Sequence, residues 1–117
     1  MSEVTQTILH PDPEGRIGNC LQAAVASLLD LDIADVPHFA EYDDWWERMV
    51  AWAKTQGWIV VYRQPNVPVA MGVAYGPSER GVSHAVVVRD GETVWDPHPS
   101  RAGLLKSYGT YEFSREA

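Results

Sequence analysis

Residues 21–29 read Leu-Gln-Ala-Ala-Val-Ala-Ser-Leu-Leu, with Leu21, Val25 and Leu28 on one helical face and alanines and a serine on the opposite one. Neither side seeks water, so the pattern predicts a buried central helix that another part of the chain approaches closely on its small-residue side. A second periodic stretch follows, in which Trp45, Met49, Trp52 and Ala53 recur at helical spacing before Gly57 closes the segment. Asp44 and Glu47 have the spacing of a capping box, with Asp in place of the usual Ser or Thr. This predicts an amphipathic helix with Trp45 and Trp52 in the core. Residues 58–63 and 69–75 read as strands, the second weakened by Gly72, and residues 110–113 as a last strand. At the N-terminus, residues 4–9 read as a short strand, followed by a loop that Pro11 and Pro13 keep from being helical. Residues 30–39, with Pro37, and the glycine-containing residues 100–106 are connections. Helices early and antiparallel strands late predict an α+β class in one domain, residues 1–117.

The stretch G-V-S-H-A-V-V-V-R-D-G-E-T-V-W-D-P-H-P-S, residues 81–100, predicts a hairpin turning at Asp90-Gly91. Turn length sets which side chains meet across it. A two-residue turn pairs Arg89 with Glu92 and Ala85 with Asp96, which leaves His84 on the other face. A three-residue loop, Arg89-Asp90-Gly91 with Gly91 as a G1 bulge, sets His84 directly opposite Asp96, with Cβ atoms about 4.5–5.5 Å apart. The three-residue loop is the expectation. Val86, Val88 and Val94 then share the face of His84, while Ala85, Val87, Thr93 and Trp95 point the other way. Both faces are apolar, which predicts a hairpin deep in the sheet. Gly72, Gly76 and Gly81 flank the loop that ends at His84, and a cleft wall is expected there.

The chain has 117 residues, 45% of them apolar, enough for a packed core without disulfide or metal staples. A net charge of −7 argues against general nucleic-acid binding, although it leaves room for a basic pocket. The sequence shows neither a membrane span nor a signal peptide, and the expected location is cytoplasmic. The single cysteine, Cys20, makes no internal disulfide, as suits a reducing compartment. No cofactor is expected. Cys20, His84, Asp96 and His98 are possible zinc ligands, but their spacing lacks the paired pattern of a structural metal site, so no metal is assigned.

Asn19, a good N-cap residue, places Cys20 first in the buried helix. There the unpaired amides and the helix dipole favour an anion, and so a thiolate over a thiol. A histidine held by a carboxylate completes a nucleophile, base and orienter set, which Cys20, His84 and Asp96 supply. Each also has a structural reading: a small core residue, a strand-end histidine, and an Asp-Pro turn opening. His98, between two prolines, is either a substrate-flanking group or an exposed loop residue. Trp95 either shields the His84 and Asp96 pair from water or is plain core.

G-N-C-L-Q-A-A-V-A-S-L-L, then S-H-A-V-V-V, then V-W-D-P, resembles the papain-like cysteine peptidase superfamily. The H-x-V-V-V pattern with a following D-P is most similar to leader-cleaving double-glycine peptidases of bacterial exporters. The chain also looks like short bacterial and phage proteins that carry G-N-C and D-P-H-P. The resemblance implies a papain-like fold with Cys20 as nucleophile, His84 as base and Asp96 as orienter. It implies a thiol-dependent hydrolase or acyl transferase acting on an amide, peptide or isopeptide bond. A catalytically inert papain-fold module that binds a peptide or partner protein is the alternative, and a structural domain with a buried cysteine is a third reading. The superfamily usually adds a glutamine shortly before the cysteine to complete an oxyanion hole. Here Glu14 stands six positions before Cys20, so that role passes to Gln6, with Gln22 and Asn19 as alternatives. Asn19, Trp95 and His98 are assigned to substrate binding. The expected partner is a peptide or amide-containing substrate, with no nucleic acid and no membrane; the sequence leaves the oligomeric state open.

Overall fold

The fold comes from a computed structural model that describes residues 1–116. In chain order it comprises α1 (Cys20–Leu29), two short 3-10 turns (Ile33–Asp35 and Phe39–Glu41), α2 (Trp45–Thr55) and five strands: β1 (Trp58–Arg63), β2 (Met71–Pro77), β3 (Ser83–Arg89), β4 (Glu92–Trp95) and β5 (Gly109–Arg115). All pairings are antiparallel, in the order β1-β5-β2-β3-β4, so the last strand lies between the first two. The class is α+β, as the order of elements predicts. Among the described residues no helix is long and apolar enough to cross a membrane.

The sequence of α1 explains its position. Residues 23–28 are all buried, because a helix with no polar side gains only by being covered on every side. Val25 and Leu28 join Met49 and Ala53 of α2 and Val73, Val87 and Phe113 of the sheet in the main core. Burying each large member of this set contributes about 1.5–3 kcal/mol. The small-residue side is approached as closely as expected. The amide of Ser2 donates to the Ser27 carbonyl at 2.9 Å, and that of Val4 to Ser27 Oγ at 3.0 Å.

Residues 4–9 belong to no sheet and bend at Thr7 and Ile8, contrary to the predicted strand. Their amides are taken singly: Gln6 donates to the Pro97 carbonyl, and Thr7 and Ile8 donate to the Asn19 side chain. A segment crossing the helix in this way has no neighbouring strand to form a ladder with. The capping box at α2 is also absent. Asp44 places its carboxylate 2.6 Å from Arg48 Nε, an i,i+4 ion pair, instead of capping the helix. β2 starts at Met71 because the Val69 and Ala70 carbonyls serve the hairpin turn, accepting the amides of Gly91 and Asp90.

The hairpin corrects the expected turn. Arg89 opposes Glu92, and Asp90 and Gly91 both have positive φ, 53° and 81°, the backbone of a two-residue type I′ turn. That turn alone separates the faces of His84 and Asp96. The register then shifts: Val88 opposes Thr93 but Val87 opposes Trp95, leaving Val94 as an extra residue in β4. This bulge moves everything after it by one position and restores Asp96 to the parity of His84. Asp96 and His84 do meet, but through a bulge rather than a three-residue loop and with Asp96 level with Val86 rather than directly opposite His84. Thr93 falls opposite Val88, and β4 is the exposed edge of the sheet, not deep within it. On β3, Val86 and Val88 pack with Ala74 and Leu104 on one face, while Ala85 and Val87 enter the main core on the other, as expected. Gly76 sits opposite His84, where any Cβ would collide with the Lys106 carbonyl of the connection before β5.

Candidate active site

Cys20 is the first residue of α1. The first amide bonded within the helix is that of Ala23, which donates to the Asn19 carbonyl at 3.0 Å. The amides of Cys20, Leu21 and Gln22 therefore have no carbonyl inside the helix, and their dipoles converge where the thiol begins.

Asn19 holds this end by a route other than the predicted side-chain cap. Its Oδ1 accepts from the amides of Thr7 at 3.0 Å and Ile8 at 2.8 Å, while its Nδ2 donates to Thr7 Oγ1 and Gln22 Oε1. The side chain is buried and turned toward the N-terminal segment, so Asn19 fixes the helix start and does not line the cleft described below, contrary to its assignment to substrate binding. With roughly 1 kcal/mol per bond and two part-buried amides left to water, Asn19→Ala is expected to cost about 1–2 kcal/mol in urea unfolding. An unchanged midpoint and slope would contradict this. Gln22 is likewise committed, donating to the Ile33 and Val36 carbonyls.

His84 and Asp96 are both buried, with Nε2 of the imidazole 2.5 Å from Oδ1 of the carboxylate. Asp96 is bound on both oxygens. Oδ1 also accepts from the His98 amide at 2.8 Å, and Oδ2 from the Gly103 amide at 2.6 Å. Burial pushes the carboxyl up, but the imidazole and the two amides outweigh it and hold Asp96 down at about 2. Burial pushes His84 down, while the bonds to Asp96 and to the Cys20 sulfur, with the charges of both groups, raise it to about 9. Since Nε2 is occupied by Asp96, Nδ1 is the nitrogen left available in the cleft that Cys20 also lines. The three residues singled out from the sequence are thus brought together.

The remaining expectations divide. His98 lines the cleft, its ring perpendicular to that of His84 with centroids 6.0 Å apart. Its Nδ1 accepts the Ser100 amide at 3.0 Å, so the neutral ring carries its proton on Nε2. Burial and the nearby charges of Arg80 and His84 lower its pKa, which favours that neutral form. Gln6 also lines the cleft, where Nε2 donates to the Ile8 carbonyl at 2.8 Å, leaving one N–H uncommitted and Oε1 buried without a partner. Glu14 is exposed and lies 3.7 Å from Arg16 Nε, outside the cleft lining. Trp95 is no part of the lining either. It packs on the core, donates Nε1–H to the Val4 carbonyl at 2.9 Å and carries the Arg101 guanidinium over its ring at 4.1 Å. Its contribution is to anchor the segment next to Asp96, which corrects its assignment to substrate binding.

Cys20 and His84 open onto a cleft of about 450 Å³. Tyr75, Tyr111 and Trp45 form its aromatic side, with Tyr75 stacked on Tyr111 at 5.3 Å between centroids and Trp45 edge-on to Tyr111 at 5.6 Å. Trp45, read from its spacing as core, is half-buried and faces this space. Arg80, Val82 and Ser83 line the side that leads into β3, where the glycine pattern placed a wall. The two tyrosines come from strands far apart in sequence, so no local pattern joins them; Arg80, next to Gly81 in the loop ending at His84, was within reach of that argument. No protein-family model, curated protein or solved structure matches the chain.

Proposed function

We propose that the protein is a thiol-dependent hydrolase of papain-like type that acts on an amide, peptide or isopeptide bond. The observation that carries this reading is the buried His84, paired with Asp96, lining one cleft with a cysteine at the open amide end of a helix, the cleft being large enough for a substrate side chain.

In this mechanism the Cys20 thiolate attacks the carbonyl carbon. A C–S bond forms and the carbonyl electron pair moves to oxygen. The oxyanion is met by the unbonded Cys20 amide and by the free N–H of Gln6 Nε2. His84 Nδ1–H then passes its proton to the departing nitrogen as the C–N bond breaks, which leaves a thioester. Water attacks the thioester, His84 takes up its proton, and the thiolate departs from the carboxylic acid. An amine in place of water makes the outcome acyl transfer. Asp96 stabilises the imidazolium throughout.

A second reading, an inert module that binds a peptide, draws on Gln6 donating one N–H to the Ile8 carbonyl and on the exposed Glu14 at the usual glutamine position. Thiol chemistry separates the two. Cys20 is expected to be alkylated by iodoacetamide at neutral pH in the folded protein, to lose most of that rate in His84→Ala, and to form a thioester with an activated acyl ester that mass spectrometry detects. A thiol that stays unreactive until the protein is unfolded would contradict the enzyme reading; a reactive thiol without acyl turnover would leave the binding module.

A further inference from the structure

We propose that Arg80 is the recognition group for a carboxylate on the substrate, so that the cleft takes an acyl compound with an apolar or aromatic side chain and an anionic end. This inference rests on the hydrolase reading for the reaction, but not for the binding.

The first observation is charge. The chain carries 16 acidic against nine basic residues, yet the cleft lining includes the cationic Arg80 and no Asp or Glu. An anionic protein with a basic, acid-free cleft attracts negative ligands to that one place.

The second is the state of the guanidinium. Arg16, Arg48 and Arg63 each have a carboxylate partner within 4 Å. Among the described residues Arg80, Arg89, Arg101 and Arg115 have none, and of these four only Arg80 lines the cleft; its Nη1 donates to Ser100 Oγ at 3.2 Å. That hydroxyl also lies 2.9 Å from His98 Nδ1. A contact series thus runs from Arg80 through Ser100 and His98 to His84, and ties the cation to the histidine side of the cleft. Only one of the donors of the planar fork is used, which leaves a bidentate face for a carboxylate.

The third is the opposite side. Tyr75, Tyr111 and Trp45 form an apolar wall that does not compete for the anion, and burial together with the neighbouring phenols raises the Tyr111 pKa, which keeps that hydroxyl neutral. Flat apolar groups pack well on such a surface. A substrate that satisfies both sides pairs an apolar or aromatic group with a carboxylate, from either a chain end or an acidic side chain.

The test is binding followed by the imidazole NMR signals of His84 and His98, with N-acetylphenylalanine as anionic probe and N-acetylphenylalaninamide as its neutral counterpart. The expected result is preference for the carboxylate by about tenfold, reduced to near unity in Arg80→Gln, retained in Arg80→Lys, and diminished by salt. Arg80 is partly exposed at a loop, and an unchanged urea-unfolding midpoint without ligand confirms that the variants remain folded. The dipeptide pair Gly-Glu-amide and Gly-Phe-carboxylate then distinguishes a side-chain carboxylate from a chain end. Equal affinity of wild type for the two acetylated probes, no binding of either, or a preference that survives Arg80→Gln would overturn the proposal. Cys20 alkylation, measured separately, reports on the hydrolase reading alone.

Discussion

Replacing His84 with alanine is expected to lower acyl turnover by about 10²–10⁴-fold while leaving the fold in place. The large effect follows from its two duties, pairing with the Cys20 sulfur and delivering a proton to the leaving group. The fold survives because Asp96 keeps two other partners, the amides of His98 and Gly103, so the carboxylate is not stranded. Wild-type turnover is also expected to fall as pH rises through about 9, where His84 loses its proton and can no longer act as acid. A pH profile of kcat/KM checks this. The alkaline limb near 9 disappears in His84→Ala, and a wild-type profile that stays flat past pH 10 would exclude His84 as the acid.

The second large effect is on stability. Asp96→Ala removes the charge that His84 leans on and leaves two part-buried amides and the buried imidazole without an acceptor, at a cost of about 3–5 kcal/mol by chemical unfolding. Asp96→Asn keeps the shape and one acceptor oxygen, and is expected to lose less stability but to lower the His84 pKa. The pH dependence has a definite sign. Asp96 in the folded protein titrates at about 2, below its ordinary 3.8, so its contribution is present above that ordinary value and is lost as pH falls through 2. His84 titrates at about 9, above its ordinary 6.5, so its contribution is present below 6.5 and is lost as pH rises through 9. Both are in full force between the two ordinary values. Unfolding free energies measured from pH 2 to 10 are expected to decline at both ends in wild type, and Asp96→Ala is expected to flatten the curve.

Much of this arrangement is legible in the sequence because it rests on local rules. Residues 21–29 have no polar face, so their burial follows from periodicity alone, and Asn19 marks the place where the helix can begin. The strands predicted at 58–63 and 110–113 lie within or coincide with β1 and β5 for the same reason. The hairpin is more instructive. The turn residues Asp90-Gly91 favour two positive φ values and hence a two-residue turn, and the sequence carries no separate sign of the bulge at Val94. The need for His84 and Asp96 to share a face pointed to the right parity through the wrong device. The side chain of Asn19 was misjudged for a related reason. A cap and a bridge to residues 7 and 8 use the same polar atoms, and only the path of the N-terminal segment selects between them. The aromatic wall was illegible, since Trp45, Tyr75 and Tyr111 meet only once β5 has inserted between β1 and β2.

The central claim is that the sulfur of Cys20 and the imidazole of His84 act as one unit. It is tested most directly by titrating the His84 ring by NMR in the native protein and again after Cys20 is blocked as its mixed methyl disulfide. The account predicts a midpoint near 9 in the free protein and a clearly lower one once the sulfur can no longer bond to or charge-pair with the ring. Identical titrations with and without the block would contradict it.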